Sequence, residues 1–175
     1  MIKRLLQRFP ELELAVSATT RARRPDEVEG QHYWFISDEE FDRRLAAGEF
    51  LEHVVFPWGQ RSGTLYSEID RITGAGKVCV LELETQGSLE VAERVPGAVT
   101  IFITAPIPEL ERRLLDRATE SSGEIDERIE LAHEQLEQAP KFDHVVENAD
   151  LERAVEELSE IVRQSLEVAG TMARP

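Results

Sequence analysis

Short apolar runs alternate with amphipathic helical segments along this chain, and that alternation restricts the fold more than any other feature. The run Val78-Cys79-Val80-Leu81 follows a Gly-rich turn and sits inside a segment, Lys77 to Leu83, that reads as a strand buried on both faces. A second strand reads from Leu12, Leu14 and Val16 and ends at Ser17. Others read from Tyr33 to Ile36, Ala98 to Ile103 and Val145-Val146. Between them lie helical patterns: Ile2 to Phe9, stopped at Pro10; a helix opened by the capping box Ser37-Asp38-Glu39-Glu40, carrying Phe41 and Leu45 and ended by Gly48; and Thr64 to Thr73. Gln86 to Val95, about Glu109 to Arg117, the stripe Ile125, Ile129, Ala132, Leu136, and the stripe from Leu151 to Val162 complete the set, with Gly170 to Pro175 expected to fray. This order predicts an α/β domain with a parallel sheet flanked by helices, spanning 1–175 without a dividing linker.

Charge and composition narrow the function. The chain carries 35 acidic residues against 20 Lys and Arg, a net charge of -15, which excludes a general nucleic-acid or anionic-membrane binder. No apolar run approaches the roughly 20 residues of a membrane span. Between 120 and 160 there are 14 carboxylates and 3 basic residues, the pattern of solvated helix faces. Residues 1 to 24 reverse the balance, with Lys3, Arg4, Arg8, Arg21, Arg23 and Arg24 against Glu11 and Glu13. Any phosphate is therefore expected to be met locally. The single cysteine, Cys79, excludes an internal disulfide and reads as a packing residue. With no secretory leader pattern at the N-terminus, a cytoplasmic location is expected. The four histidines stand in four separate contexts, so no metal site is expected from them.

The segment Ser17-Ala18-Thr19-Thr20-Arg21-Ala22-Arg23-Arg24-Pro25, followed by Gly30-Gln31-His32-Tyr33-Trp34-Phe35, sets several arginines just past a strand end. A guanidinium fork matches phosphate oxygens, so arginines placed here can hold a dianion, the alternative being a solvated basic loop. The segment resembles the nucleotide-monophosphate site of the guanylate kinase family. The resemblance continues in order through Glu49-Phe50-Leu51-Glu52-His53, Ser62-Gly63-Thr64, Glu82-Leu83-Glu84-Thr85-Gln86-Gly87 and Arg117-Ala118-Thr119-Glu120. It implies a P-loop NMP-kinase-like fold with a GMP-binding subdomain over about 30–70 and a lid over about 117–130. It also implies reversible phosphoryl transfer from ATP, with Mg²⁺, to GMP, giving ADP and GDP.

The resemblance implies roles residue by residue. Arg21, Arg24 and Tyr33 match the positions that grip the GMP phosphate. Glu52 matches the guanine-binding glutamate, Ser17 and Thr64 the hydroxyl contacts, and Glu84 a position commonly occupied by aspartate. Guanine presents adjacent N1-H and N2-H donors that one carboxylate can accept together, and adenine cannot reproduce this pattern. An isolated Glu is usually a surface charge, so the Glu52 role rests on the motif. Arg117 and Arg128 match the two arginines that close over the transferring phosphoryl group, and Glu82 falls near the magnesium-bound phosphates.

Three departures qualify the match. Arg23 stands where the family usually has proline. Ser62 replaces a second phosphate-binding tyrosine, beside a Pro57 to Arg61 loop one residue longer than usual, which leaves Arg61 and Tyr66 as candidate replacements. The family's opening strand and G-x-x-x-x-G-K-[ST] loop are not in the sequence. Gly74-Ala75-Gly76-Lys77 leads into a strand and cannot replace that loop, which works at a helix N-terminus. We expect from this an N-terminally incomplete sequence with little phosphotransferase activity of its own. Two other classes remain open: a guanylate-kinase-like module that binds GMP or a phosphorylated peptide, and a P-loop kinase acting on a phosphorylated sugar. The lid arginines speak against the first, and Glu52 with Thr64 against the second.

Overall fold

In the computed structural model, residues 1–106, 108–109 and 122–172 are described, the side chains of 122–128 and 169–172 excepted. The chain forms two compact units, one made of Met1–Arg8 with Gly97–Pro175 and the other of Phe9–Pro96.

The unit Phe9–Pro96 carries most of the residues singled out above. Leu12–Leu14 (β1) pairs in parallel with Val78–Val80 (β6), Leu12 opposite Val78. A separate four-stranded sheet has the order β3-β2-β5-β4, made from Ala18–Thr19 (β2), Trp34–Phe35 (β3), Phe50–Val55 (β4) and Arg61–Leu65 (β5). β2 and β3 run parallel, whereas β5 is antiparallel to both β2 and β4. Ala18, Phe41, Phe50 and Leu65 form the core on one face of this sheet, with Ile36 packed against them. Phe41 comes from α2 (Asp38–Ala46) and stacks on Phe50 at 4.5 Å. The N-cap half of the expected capping box is present: Ser37 Oγ accepts from the Glu40 N–H, while the Glu40 carboxylate turns to Arg43 and Arg44, and Gly48 follows the helix with φ +68°.

Two readings are corrected in this unit. The strand expected from Leu12 through to Ser17 is broken after Leu14, because the chain leaves β6 there to join a second sheet at Ala18. Thr64 belongs to a strand, and the helix expected from Thr64 begins at Tyr66 (α3, Tyr66–Gly74), because Thr64 is paired opposite Glu52 across the β4–β5 hairpin. That hairpin was not foreseen, since β5 reads Arg-Ser-Gly-Thr-Leu with a single apolar residue and is held by backbone pairing on both sides. The helix expected over Gln86 to Val95 runs from Thr85 to Arg94 (α4). Cys79 is half-buried and unpaired, its thiol pushed up to about 11 by burial, which suits packing and not reactivity.

The second unit pairs Ile101–Thr104 (β7) in parallel with His144–Glu147 (β8). Thr100 and Asp143 clamp the start of this pair: the Thr100 N–H and hydroxyl donate to the Asp143 carboxylate at 2.8 Å each, and the Asp143 N–H donates back to Thr100 Oγ1 at 3.0 Å. Ser122–Gln138 (α5) and Leu151–Met172 (α6) are helical. α6 buries Ala154, Val155, Leu158 and Ser159, and it continues through Gly170 to Met172 where fraying was expected. The N-terminal helix α1 (Ile2–Arg8) docks on it. Arg8 reaches Glu156 at 2.6 Å and Ser159 at 3.1 Å, and Arg4 pairs with Glu152. Arg4 and Arg8 are thus spent on an acidic helix, and of the arginines between residues 1 and 24 those left in the segment after β2 are Arg21, Arg23 and Arg24.

Candidate nucleotide-monophosphate site

Strand periodicity places the predicted residues together. Side chains alternate along a strand, and directly opposed residues share a face. Ala18 and Leu65 face the core, so their neighbours Ser17, Thr19 and Thr64 face the other way, and Glu52, opposite Thr64, joins them. Phe35, beside Thr19, lies on that same face, and Tyr33 packs on Phe35 with ring centroids 5.8 Å apart. Arg21 follows two residues after Thr19 and lays its guanidinium over both rings, 5.3 Å from Tyr33 and 5.6 Å from Phe35. One face of one sheet therefore carries Ser17, Arg21, Tyr33, Glu52 and Thr64.

At one end of this face the chemistry is acidic and buried. Glu52 is 4% exposed and Thr64 fully buried. Glu52 Oε1 accepts from the Thr64 N–H at 2.8 Å. Burial raises the Glu52 carboxyl above its usual range, an effect opposed by the Thr64 hydroxyl and N–H. Among the described residues the Thr64 hydroxyl nevertheless has no hydrogen-bond partner of good geometry, a buried polar group of the kind that proteins ordinarily satisfy. Gly87, in the first turn of α4, adjoins the carboxylate so closely that a Cβ there would sit 2.7 Å from Glu52 Oε2. Gly63 is similarly constrained, since its Cβ would meet the Glu52 carbonyl oxygen at 2.6 Å. Glu84 caps the start of α4 with extended backbone, which brings the predicted Glu84 to the helix end nearest Glu52.

At the other end the chemistry is cationic. Arg21 pairs with Glu27 through two hydrogen bonds, Nη2 to Oε1 at 2.6 Å and Nη1 to Oε2 at 3.0 Å. Glu27 is held down to about 2 by this partner and by the Arg24 N–H, which donates to Oε2 at 2.8 Å. The Arg24 guanidinium is exposed and has no ion pair among the described residues. Arg23 spends its guanidinium on the Glu27 carbonyl, a loop-closing contact that explains a residue to which the sequence lent no role. Glu27 itself was missed. The available signal was an acid six residues after Arg21, across Pro25-Asp26, within reach of the same loop.

The structure also decides one open alternative. Arg61 cannot stand in for the missing tyrosine, because its guanidinium is held by Asp38 at 2.7 Å and by Asp42, and lies 4.6 Å over the Phe41 ring. Ser62 donates its hydroxyl to the Ala18 carbonyl. Tyr66 is exposed at the start of α3. Of the lid pair, Arg117 lies outside the described residues, and Arg128 falls on α5 with its side chain outside them. Among the described residues no three His, Cys, Asp or Glu side chains are grouped to hold a metal ion.

The crystal structure of guanylate kinase from Anaplasma phagocytophilum superposes with a TM-score of 0.77 at 29% identity, covering 93% of this chain and 79% of that one. The fold and the site together define a P-loop nucleoside monophosphate kinase type of α/β domain. Sequence comparison narrows the class. Guanylate kinase of Rubrobacter xylanophilus is 42% identical over 169 residues, 94% of this chain and 86% of that protein. Guanylate kinase of Chlamydia felis is 42% identical over 165 residues, 92% and 79% of the two chains. A family model for guanylate kinase matches residues 1–165, and the chain belongs to the guanylate kinase family.

Proposed function

We propose that the face bearing Arg21 and Glu52 binds GMP as phosphoryl acceptor for ATP, with the base at Glu52 and the phosphate at Arg21, Arg24 and Tyr33. Family membership carries the reaction, in which the γ-phosphoryl of ATP passes to GMP to give ADP and GDP. One observation carries the base assignment: a buried carboxylate stands beside a buried Thr64 hydroxyl that makes no well-formed hydrogen bond among the described residues. Such a buried polar pair is costly unless a polar ligand completes it. A guanine edge, with its two adjacent donors for the carboxylate, supplies that ligand. Ser17 and Glu84 are assigned to the same subsite.

The acceptor is already a phosphate oxygen, so no side chain has to remove a proton. What the protein supplies is position and positive charge around a loose transition state. Arg21 and Arg24 hold the acceptor phosphate, and the family match alone assigns Arg117 and Arg128 to the transferring group. Magnesium belongs in this reading to the donor, as the companion of the ATP phosphates. No G-x-x-x-x-G-K-[ST] segment occurs in the sequence. We place the protein in the cytoplasm; among the described residues no helix is long and apolar enough to cross a membrane.

Calorimetric titration tests the base assignment. GMP is expected to bind more tightly than AMP, and Glu52→Gln to reduce that preference by about 10-fold or more, because the amide sets a donor against a guanine donor. Equal affinity for GMP and AMP in the unsubstituted chain would refute the assignment.

A further inference from the structure

We propose that Glu27 is a positioning residue of the phosphate site: it fixes the plane of the Arg21 guanidinium and the backbone of Arg24 so that a fork of Arg21 is presented to the nucleotide phosphate. The inference rests on the GMP reading and goes beyond it, since it assigns a role to an acidic residue in a site built for an anion.

The hydrogen-bond count of Arg21 is the central observation. A guanidinium has five N–H donors. Nη1 spends both of its hydrogens, one on the Ala22 carbonyl at 2.8 Å and one on Glu27 Oε2, while Nη2 spends one on Glu27 Oε1. Glu27 thus takes the end-on edge. The Nε–H and the outer Nη2 hydrogen form the side-on fork, and no described residue occupies it. Planar bidentate pairing leaves the guanidinium one orientation, and the Tyr33 and Phe35 rings support it from the side. Glu27 Oε2 also accepts the Arg24 N–H, the Arg24 carbonyl accepts the Glu27 N–H at 3.1 Å, and Arg23 binds the Glu27 carbonyl. The loop from Arg21 to Glu27 is therefore tied at both ends to one carboxylate.

A competing role is physically distinct. If the carboxylate were a placeholder for the phosphate, it would occupy the donors that the ligand needs, and its removal would tighten binding. The free side-on fork argues against this, because the phosphate can dock without displacing Glu27. The carboxylate's charge does repel the phosphate, but at a distance set by the width of the guanidinium, and it returns a fixed fork in place of a long side chain free to rotate.

Titration of the unsubstituted chain, Glu27→Gln, Arg21→Ala and the double variant with GMP and with guanosine decides between these roles. Glu27→Gln is near-isosteric but cannot accept two charge-assisted bonds from one guanidinium edge. It is expected to weaken GMP by about 10-fold while leaving guanosine unchanged, and to have no further effect once Arg21 is alanine. Unchanged or tighter GMP binding would overturn the positioning role, as would an equal loss for guanosine, which would mean a general structural defect. The coupling between the two positions reads independently of guanosine affinity: a full Glu27→Gln effect in the Arg21→Ala background also overturns it. An unsubstituted chain that binds GMP no more tightly than guanosine would instead remove the phosphate reading itself, and Glu27 with it.

Discussion

Two glutamates of the candidate site, Glu27 in the loop after β2 and Glu52 on β4, are tuned in opposite directions, and each shift has a definite cause. Glu27 sits on a guanidinium and a backbone N–H and is held down to about 2, so it stays ionised throughout the range in which the protein would be assayed. Whatever stability it contributes is present above the ordinary glutamate value and is lost only as pH falls toward 2. Glu52 is raised by burial, so its ionised form is the one that folding disfavours, and protonation becomes easier as pH falls. Guanine binding needs the carboxylate. We therefore predict that the affinity for guanosine, which lacks the phosphate that itself titrates near pH 6, declines on acidification through the raised Glu52 value, before Glu27 titrates, and that Glu52→Gln abolishes this pH dependence. Titrations across mildly acidic pH check it. A pH dependence that persists unchanged in Glu52→Gln would assign it to another group.

Among the elements, α4 and the β4–β5 hairpin are matched at one atom. A glycine inside a helix ordinarily costs about 1 kcal/mol relative to alanine, so Gly87→Ala should favour the helix in isolation. Here the added methyl would fall 2.7 Å from Glu52 Oε2 and must displace the carboxylate or the helix. The expected outcome is a split: folding stability by urea denaturation changes by no more than about 1–2 kcal/mol, since helix gain offsets overpacking, while GMP affinity drops by about 10-fold. Unaltered affinity would show that the carboxylate position is not critical. The same hairpin marks where reading by periodicity stops. Glu52 interrupts the apolar alternation of Phe50–Val55, and Arg61–Leu65 has almost none, so neither announced a strand. By contrast Ser37 to Ala46 was legible, because an N-cap hydroxyl, first-turn acids and a closing glycine are local signals that no tertiary contact has to supply.

For the whole molecule, charge is the quantity that composition gives directly. A net charge of -15 on 175 residues opposes compaction, and surface ion pairs such as Arg4–Glu152 and Arg163–Glu160 return only about 0–1 kcal/mol each. Repulsion should win. Raising sodium chloride from about 0.02 M to about 0.5 M, which shortens the screening length well below 10 Å, is predicted to raise the thermal midpoint. A midpoint that falls with salt would show that the ion pairs dominate.

The sequence by itself determined the class of fold, since short apolar runs between amphipathic helices can be buried only in an α/β arrangement, and the parallel pairs β1–β6 and β7–β8 follow from it. It also determined the family, because Ser17 to Phe35 and Glu49 to His53 carry residue types whose chemistry suits one nucleotide. Tertiary structure alone decided how those residues are used. Backbone pairing, not side-chain pattern, placed Thr64 opposite Glu52 and left its buried hydroxyl with no well-formed hydrogen bond among the described residues. Long-range ion pairs spent Arg4, Arg8 and Arg61 on Glu152, Glu156, Asp38 and Asp42, and a loop closure brought Glu27 onto Arg21. A guanidinium's partner depends on which carboxylates the folded chain brings within about 3 Å, and spacing along the sequence does not contain that distance.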